Sequence, residues 1–250
     1  MLNYVRAEFY KLTAGLRLLA LGALLLGCEL LLVSMWAIPG ESDFASAVGL
    51  SIAFLGTGLV VAIPLAWAVC AGGGRQGTLK NEISFGVPRA QIYLGKLLTA
   101  LLAGLALAAA ALAFYLGMSW LLCSHGEAEA ERVVLGMLGF VVLCAMPLWI
   151  GMLALSTLAF LTLPSNTMAA VFLFLSITLL PSVFAILMQI QVGPLRQVGE
   201  VGEALLLTTP FLEFTGLMDW GFPVRCWAVG IGWTAASTVA GLALFHGKEL

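Results

Sequence analysis

Charge is what this sequence of 250 residues has least of. Only 10% of the residues are Asp, Glu, Lys or Arg, whereas 62% are hydrophobic and the mean hydropathy is +1.07. Soluble globular chains carry about 25% charged residues, so most of this chain must be surrounded by lipid rather than water. An ordinary cytosolic enzyme, a disordered tail and a secreted disulfide scaffold are thereby excluded. The net charge of −2 also gives no indication of nucleic-acid binding.

Motifs for metal binding and hydrolysis are also missing. The 5 cysteines form no C-x-x-C pair and there are only 2 histidines, so a zinc site has no support. Neither H-E-x-x-H nor G-x-S-x-G occurs, and the phosphate-loop-like run from Gly72 to Thr78 lacks the required lysine. We therefore expect no catalytic residue, no metal and no nucleotide site in this chain. The cysteines are expected to pack as small apolar residues, with a disulfide between Cys123 and Cys226 as the alternative.

Long apolar runs predict six transmembrane helices. A spanning helix needs about 20 mainly apolar residues, and the short alternating pattern of barrel strands is absent, which leaves helices as the only option. The expected fold is therefore an all-α integral membrane protein, with residues 1–250 forming a single transmembrane domain. The predicted spans cover residues 16–38, 47–71, 91–123, 133–163, 167–191 and 224–245.

The basic residues predict the orientation of these spans. Lysine and arginine are concentrated in cytoplasmic loops of membrane proteins. With a cytoplasmic N-terminus, most of the 11 basic residues lie inside, and both termini are cytoplasmic because the number of spans is even. The inside group is Arg6, Lys11, Arg17, Arg75, Lys80, Arg89, Lys96 and Lys248, and the outside group is Arg132, Arg196 and Arg225.

The N-terminal residues 1–14 are not a span. Leu2, Val5, Phe9 and Leu12 recur at spacings of three and four, with charged residues between them. This pattern predicts an amphipathic helix on the inner membrane surface, with its basic groups toward anionic lipid. The alternative is a plain cytoplasmic lead-in that is helical.

Residues 75–90 form the most polar cytoplasmic stretch. Glycines end the second span before it, and Leu79 and Ile83 fall one helical turn apart on one face. Gly86 can adopt the left-handed stop conformation, and Pro88 suits the start of the next helix. The sequence therefore predicts a short helix beneath the membrane, where a soluble partner would act.

Residues 193–221, between the fifth and sixth spans, are not a simple loop. The apolar run at residues 204–207 is too short to span. Such a segment usually dips into the membrane and returns, shielded by protein, and Pro210 and Gly216 would break it into two short helices. The alternative is an amphipathic surface helix on the outer leaflet.

Two features within the predicted spans suggest specific roles. Glu29 lies near the middle of the first span, where an acid is costly and should face the bundle interior or a wet cavity. It is either part of a functional site or a structural carboxylate that holds two helices together. The last span carries small residues at four-residue spacing, which predict close packing against a helix of this chain or of a second copy: Ala228, Gly232, Ala236 and Ala240.

The cytoplasmic segment carries a recognisable series of residues: Gly77-Thr78-Leu79-Lys80-Asn81, then Gly86 and Arg89, then Gly95-Lys96-Leu97. Together with the six spans, the amphipathic N-terminal helix and the broken segment before the last span, this series resembles the coupling-helix region of the permease subunits of ABC type-2 exporters. The charged end at residues 245–250 is similar to the family's C-terminal end. A compact permease of this kind resembles those of lantibiotic-immunity and drug-resistance exporters in bacterial cell membranes.

The resemblance implies a division of labour between subunits. Two permease chains, identical or related, would form the pathway, and a dimer of cytoplasmic ATPase subunits would hold ATP and Mg²⁺, so this chain itself needs no cofactor. The substrate would be an amphipathic peptide or drug that enters from the membrane lipids. The residues expected to couple to the ATPase are Thr78, Leu79, Lys80, Asn81, Ile83, Phe85 and Arg89, and those expected to line the substrate pathway are Glu29, Pro210, Phe211 and Glu213.

Two other classes of function remain open from the residues alone. A secondary transporter driven by an ion gradient would need internal repeats and several ionisable groups at the membrane midplane, of which only Glu29 is evident. A membrane assembly subunit would transport nothing. Within the transporter interpretation, export of lipid, ions or polysaccharide is also compatible with the sequence.

Overall fold

The computed structural model describes residues 1–37, 43–70, 75–190, 193–216 and 218–247, excluding the side chains of residues 75–78, 80 and 247. Within these ranges the chain is all-helical, as the sequence predicts, and contains no strand. The helices are α1 (Leu2–Ala14), α2 (Arg17–Ala37), α3 (Phe44–Phe54), α4 (Thr57–Cys70), α5 (Arg75–Ser84), α6 (Arg89–Leu122), α7 (Ala128–Thr162), α8 (Asn166–Gln189), α9 (Gly193–Leu205), α10 (Thr209–Glu213) and α11 (Gly221–Gly247).

Five of these helices are individually long and apolar enough to cross a membrane, namely α2, α6, α7, α8 and α11. They coincide with five of the six predicted spans. The remaining predicted span, residues 47–71, is not one helix. It consists of α3 and α4, which meet at an angle of 57°. The described residues therefore contain five helices that are long and apolar enough to span a membrane, or six candidate spans if the bent pair is counted as one.

Local sequence signals account for several helix ends. The Asp43 carboxylate accepts a hydrogen bond from the Ser46 backbone N–H (3.0 Å), and the Ser165 hydroxyl accepts one from Met168 (3.0 Å). These side chains satisfy donors that would otherwise be unpaired in the first turns of α3 and α8. Carboxylates of Glu129 and Glu131 occupy the first turn of α7, where they are favourable for the helix dipole.

Helix α7 is the centre of the bundle, and its closest neighbour is α11. Gly230 of α11 lies directly on Pro147 of α7: a Cβ atom at Gly230 would come within 2.4 Å of the Pro147 backbone. One turn further along α7, a Cβ at Gly151 would lie 3.0 Å from the Gly230 carbonyl oxygen. The small residues that hold these two helices together are therefore Gly151 and Gly230.

The small-residue face predicted on the last span lies elsewhere on α11. Ala228, Gly232 and Ala236 are exposed and Ala240 is half-buried, and a Cβ at Gly232 would meet no atom within 4 Å. In the described part of the chain this face is therefore open at Ala228, Gly232 and Ala236 and partly covered at Ala240. Of the two partners that the sequence left open, a second copy of the chain remains a prediction.

We predict that Gly230→Ala destabilises the protein, whereas Gly232→Ala does not. The first substitution drives a methyl group into backbone atoms, and overpacking costs about 1–3 kcal/mol. The second places the same methyl group in open space, where alanine is a better helix former than glycine. Thermal unfolding of both variants in one detergent measures the difference. Equal melting temperatures would contradict the packing of α11 against α7 described above.

Candidate functional site

Helix α5 stands between the bent pair and α6 and ends at a glycine. Gly86 has a φ of +81°, and its N–H donates to the Ile83 carbonyl (2.9 Å). The Val87 N–H donates to the backbone carbonyl of Glu82 (3.2 Å). This pair of hydrogen bonds is a Schellman motif, which closes a helix with a left-handed residue. The sequence prediction of a stop at Gly86 is confirmed. Because Val87 and Pro88 then lead directly into α6, α5 is held at a fixed short distance from a spanning helix.

The residues expected to contact an ATPase do not all face outward. Leu79 is only 2% exposed and belongs to the main apolar core, and Ile83 packs against that core. Asn81 is exposed, and Phe85 is 86% exposed. Leu79 therefore anchors α5 to the bundle, and the large apolar side chain that a partner could contact is Phe85. Thr78 and Lys80 have side chains outside the described part of the chain.

Arg89 makes contacts within the chain. Its guanidinium donates to the backbone carbonyls of Phe245 (3.1 Å) and His246 (2.7 Å) at the end of α11. Arginine is favourable there because the last carbonyls of a helix are unpaired and carry partial negative charge. Arg89 therefore joins the start of α6 to the end of α11, and charge reversal at this residue would disturb helix packing as well as any partner contact.

A network of charged residues that the sequence analysis did not single out ties α5 to α1. The Glu82 carboxylate accepts hydrogen bonds from the Tyr4 hydroxyl (2.8 Å) and from Lys11 Nζ (3.0 Å). Lys11 Nζ also lies 2.5 Å from Oε1 of Glu8, and Lys96 Nζ of α6 lies 2.7 Å from Oε2 of the same carboxylate. Glu82, Tyr4, Lys11, Glu8 and Lys96 thus form one continuous chain of contacts from α5 through α1 to α6.

The electrostatics of this network favour the ionised state of Glu8. Burial opposes its ionisation, but the neighbouring ammonium groups of Lys96 and Lys11 outweigh that effect and hold the pKa of Glu8 below its ordinary value. Burial also opposes the charged form of Lys11, yet hydrogen bonds to Glu8 and Glu82 raise its pKa. Burial and the two nearby carboxylates raise the pKa of Tyr4, so its hydroxyl remains a donor. Within this network Glu8 is therefore stabilised as a carboxylate and Lys11 as an ammonium group.

The second part of the site is the break between α3 and α4. At the break the Leu55 carbonyl accepts hydrogen bonds from the Gly58 backbone N–H (3.1 Å) and from the Trp149 indole N–H of α7 (3.1 Å). A Cβ at Gly58 would lie 2.4 Å from Trp149 Nε1, so the indole fits only because residue 58 is a glycine. Phe211 covers Gly56 from the other side, with its Cβ 3.5 Å from the position of a Cβ at that residue.

Phe211 belongs to a helical hairpin formed by α9 and α10. Gly199 and Gly202 of α9 lie against α8, and the Trp233 indole donates to the Leu205 carbonyl (2.7 Å) from the middle of α11. The hairpin therefore reaches half-way along α11 before it turns. Pro210 is buried beside Phe211, and Glu213 at the end of α10 pairs with Arg225 at an exposed position. Three of the predicted pathway residues thus lie on this hairpin.

Glu29 lies across the break from the hairpin. It projects from the middle of α2 into a cavity of about 450 Å³ that is bounded by α2, α3, α4, α6 and α7. Trp149 and Leu55 line the same cavity. The structure therefore brings Glu29, Phe211 and Pro210 to one region of the bundle, around the break, and separates them from α5.

The remaining sequence predictions concern cysteine and metal chemistry. Cys123 and Cys226 are both buried free thiols, and the Cys226 thiol is hydrogen-bonded to Cys144 instead. The alternative of a disulfide between Cys123 and Cys226 is therefore wrong. Among the residues that the structure describes, no group of three or more His, Cys, Asp or Glu side chains could hold a metal ion.

No family model matches this chain, and no curated protein sequence does.

Proposed function

We propose that this chain is the membrane-spanning permease subunit of an ATP-driven ABC exporter in a bacterial cell membrane. Two permease chains would form the pathway, and separate cytoplasmic ATPase subunits, which hold ATP and Mg²⁺, would bind at α5. The transported compound would be amphipathic, such as an antimicrobial peptide or a drug, so the biological role would be immunity or resistance. The apolar helices of the structure support the membrane part of this proposal.

The main observation in support of the proposal is that one side of α5 is fixed to the bundle while a large aromatic side chain at its end is exposed. Its inner side is fixed by buried Leu79 and by the hydrogen bonds of Glu82, while Phe85 at its end is 86% exposed. A large aromatic side chain held on a rigid element is the usual form of an interaction hot spot. At 86% exposure Phe85 contributes little to packing within the chain and is accessible to a partner. A partner with a complementary apolar pocket would contact α5 there.

The contacts around α5 also provide a route by which such a partner could move the bundle. A displacement of α5 would act on α1 through Glu82 and then on α6 through the Glu8 and Lys96 pair. Arg89 extends the connection from α6 to α11. Because these contacts are short and directional, α1, α5 and the inner end of α6 would move as one body, which is a rigid-body type of transition.

We further propose that the bent pair crosses the membrane as the second of six spans and that α9 and α10 form a re-entrant hairpin from the outer side. Each broken element has its exposed backbone groups satisfied by another helix: Trp149 bonds Leu55, and Trp233 bonds Leu205. Irregular backbone at membrane depth is tolerated only when it is buried in protein or lines a cavity. Both breaks meet this condition and contact each other through Phe211.

Affinity purification tests the partner. The tagged chain is extracted from its native membrane in mild detergent, and the proteins that remain bound are identified by mass spectrometry. We expect a stoichiometric ATPase with the wild type and its loss with Phe85→Asp, because removing a hot-spot aromatic costs about 2 kcal/mol or more, or about 30-fold in Kd. The matched control is Trp220→Asp, which changes an aromatic side chain that is 82% exposed outside α5, and it should retain the ATPase.

Two outcomes would contradict the proposal. If the wild type carries no ATPase under conditions in which a known ABC exporter keeps its own, the chain is not an ATP-driven permease, and a secondary transporter that uses Glu29 becomes the better interpretation. If Phe85→Asp retains the ATPase as well as Trp220→Asp does, the docking role of Phe85 is wrong.

A further inference from the structure

The cavity beside α2 contains a carboxylate oxygen that has no hydrogen-bond donor among the described residues. Glu29 occupies the middle of α2, and its Oε2 atom is buried and accepts no hydrogen bond from them. In the described part of the chain no lysine, arginine or histidine lines the cavity, and its other titratable side chains are Cys28 and Tyr115. Leucine, valine, isoleucine, phenylalanine and alanine provide most of the remaining wall.

The hydrogen-bond donors that line the cavity around Glu29 already donate to other acceptors. Each hydroxyl or indole group that lines the cavity donates to a backbone carbonyl of α3 or its immediate neighbours, so none is directed at the carboxylate. The pairs are Ser51 to Val48 (2.7 Å), Thr57 to Phe54 (2.6 Å), Tyr115 to Ala47 (2.9 Å) and Trp149 to Leu55 (3.1 Å).

An ionised acid in this setting is costly unless a positive charge approaches it or it takes up a proton. Carboxylates within membrane helices almost always pair with another group or face a wet pathway, and an unpaired buried charge is strongly unfavourable. A structural carboxylate that holds two helices together would accept a donor from the neighbouring helix. Glu29 Oε2 accepts none from the described residues, and the side chain lines a cavity large enough for a separate molecule.

We infer that this cavity binds a small lipophilic cation, with its apolar groups among the leucine and alanine side chains and its positive charge against Glu29 Oε2. A volume of about 450 Å³ falls within the range of about 300–1,000 Å³ that is usual for drug-sized ligands. It is too small for an entire antimicrobial peptide. If the bound cation is also the transported substrate, this inference rests on the proposed function and narrows its substrate class to lipophilic cations. Binding of the cation to the cavity requires no ATPase.

Binding of radiolabelled tetraphenylphosphonium to the purified chain tests the inference. The chain is placed in nanodiscs of uncharged phosphatidylcholine, so that anionic lipid does not attract the probe. We expect saturable binding with one site per chain, and at least about a 30-fold higher Kd for Glu29→Gln because the ion pair is lost. Since this cation carries no proton, weaker binding at lower pH would report protonation of Glu29, and Glu29→Gln should abolish that pH dependence.

Two further variants make the test specific. Ala108→Phe fills the cavity from α6 while Glu29 remains, and it should also abolish binding. Glu200→Gln removes an acid from an exposed surface pair on α9 and should bind as the wild type does. Equal affinity of the wild type and Glu29→Gln would overturn the inference, as would full binding by Ala108→Phe or the absence of saturable binding by the wild type. Because the isolated chain is used, failure here leaves the ATPase experiment above unaffected.

Discussion

Replacing Glu8 by glutamine should lower the free energy of unfolding by about 3–5 kcal/mol, because the substitution leaves a buried ammonium group without its carboxylate. The Lys96 side chain is 7% exposed, and its Nζ lies 2.7 Å from Glu8 Oε2. Glutamine has nearly the same shape as glutamate, so packing is preserved and the charge is what changes. Reversible unfolding in mixed detergent micelles measures the effect. Glu200→Gln is the matched control: the same exchange at an exposed ion pair with Arg196 should cost at most about 1 kcal/mol.

A second substitution separates the unpaired charge from other causes. Lys96→Met in the Glu8→Gln background removes the remaining buried charge and retains a long apolar side chain. Replacing both partners of a buried ion pair by groups of similar size is often close to neutral, so most of the lost stability should return. If the double variant were as unstable as Glu8→Gln alone, the loss would not come from the unpaired ammonium group.

The same pair predicts how stability depends on pH. The pKa of Glu8 is lowered from its model-compound value of 4.5 by its ammonium neighbours, despite burial. A carboxylate with a depressed pKa contributes stability that is fully present above about pH 4.5 and is lost as the pH falls through the folded-state pKa. Wild-type stability should therefore decline more steeply below about pH 4.5 than that of Glu8→Gln. Parallel declines would contradict the ionised state of Glu8 in the folded chain.

The lengths of the apolar helices could be predicted from the sequence because a bilayer sets the length of a spanning helix, but the break between α3 and α4 could not. The run at residues 47–71 contains Gly56 and Gly58, and glycine is common in continuous membrane helices. At the bend, Trp149 of α7 donates a hydrogen bond to the Leu55 carbonyl, between residues 94 positions apart. A contact between residues so far apart in the chain produces no repeating pattern in the sequence around either of them.

The network that links α5, α1 and α6 likewise combines a local sequence signal with a partner that is distant in the sequence. Val5, Glu8 and Leu12 share one face of α1, so an acid on an apolar helical face was visible in the sequence. Its partner Lys96 lies 88 residues further on and was interpreted only as part of a motif. Arg89 was expected to contact an ATPase, but its acceptors are the last carbonyls of α11. The sequence can show that a charged residue lies on an apolar helical face, but only the structure shows which distant group forms its ion pair or hydrogen bond.

Cysteines introduced together at Gly56 and Phe211 should form a disulfide. A Cβ at residue 56 lies 3.5 Å from the Cβ of residue 211, within the range of about 3.5–4.5 Å found in disulfides. The five native cysteines are first replaced by serine or alanine. Polyethylene-glycol maleimide then reports the remaining free thiols on a gel after mild oxidation. Cysteines at Gly232 and Phe211 provide the control pair and should stay reduced, because a Cβ at residue 232 has no neighbour within 4 Å.

Failure of the 56–211 pair to cross-link would contradict the contact between the hairpin and the break. Once formed, the same bond tests whether these two elements separate during transport. Under the proposed function, a substrate that leaves past the break requires Phe211 to withdraw from Gly56, so oxidation should reduce transport to background and a reductant should restore it in the same sample. Full transport by the cross-linked chain would mean that the hairpin and the bent pair move together. The pathway would then have to open between α2 and α6, on the side of the cavity where Glu29 lies.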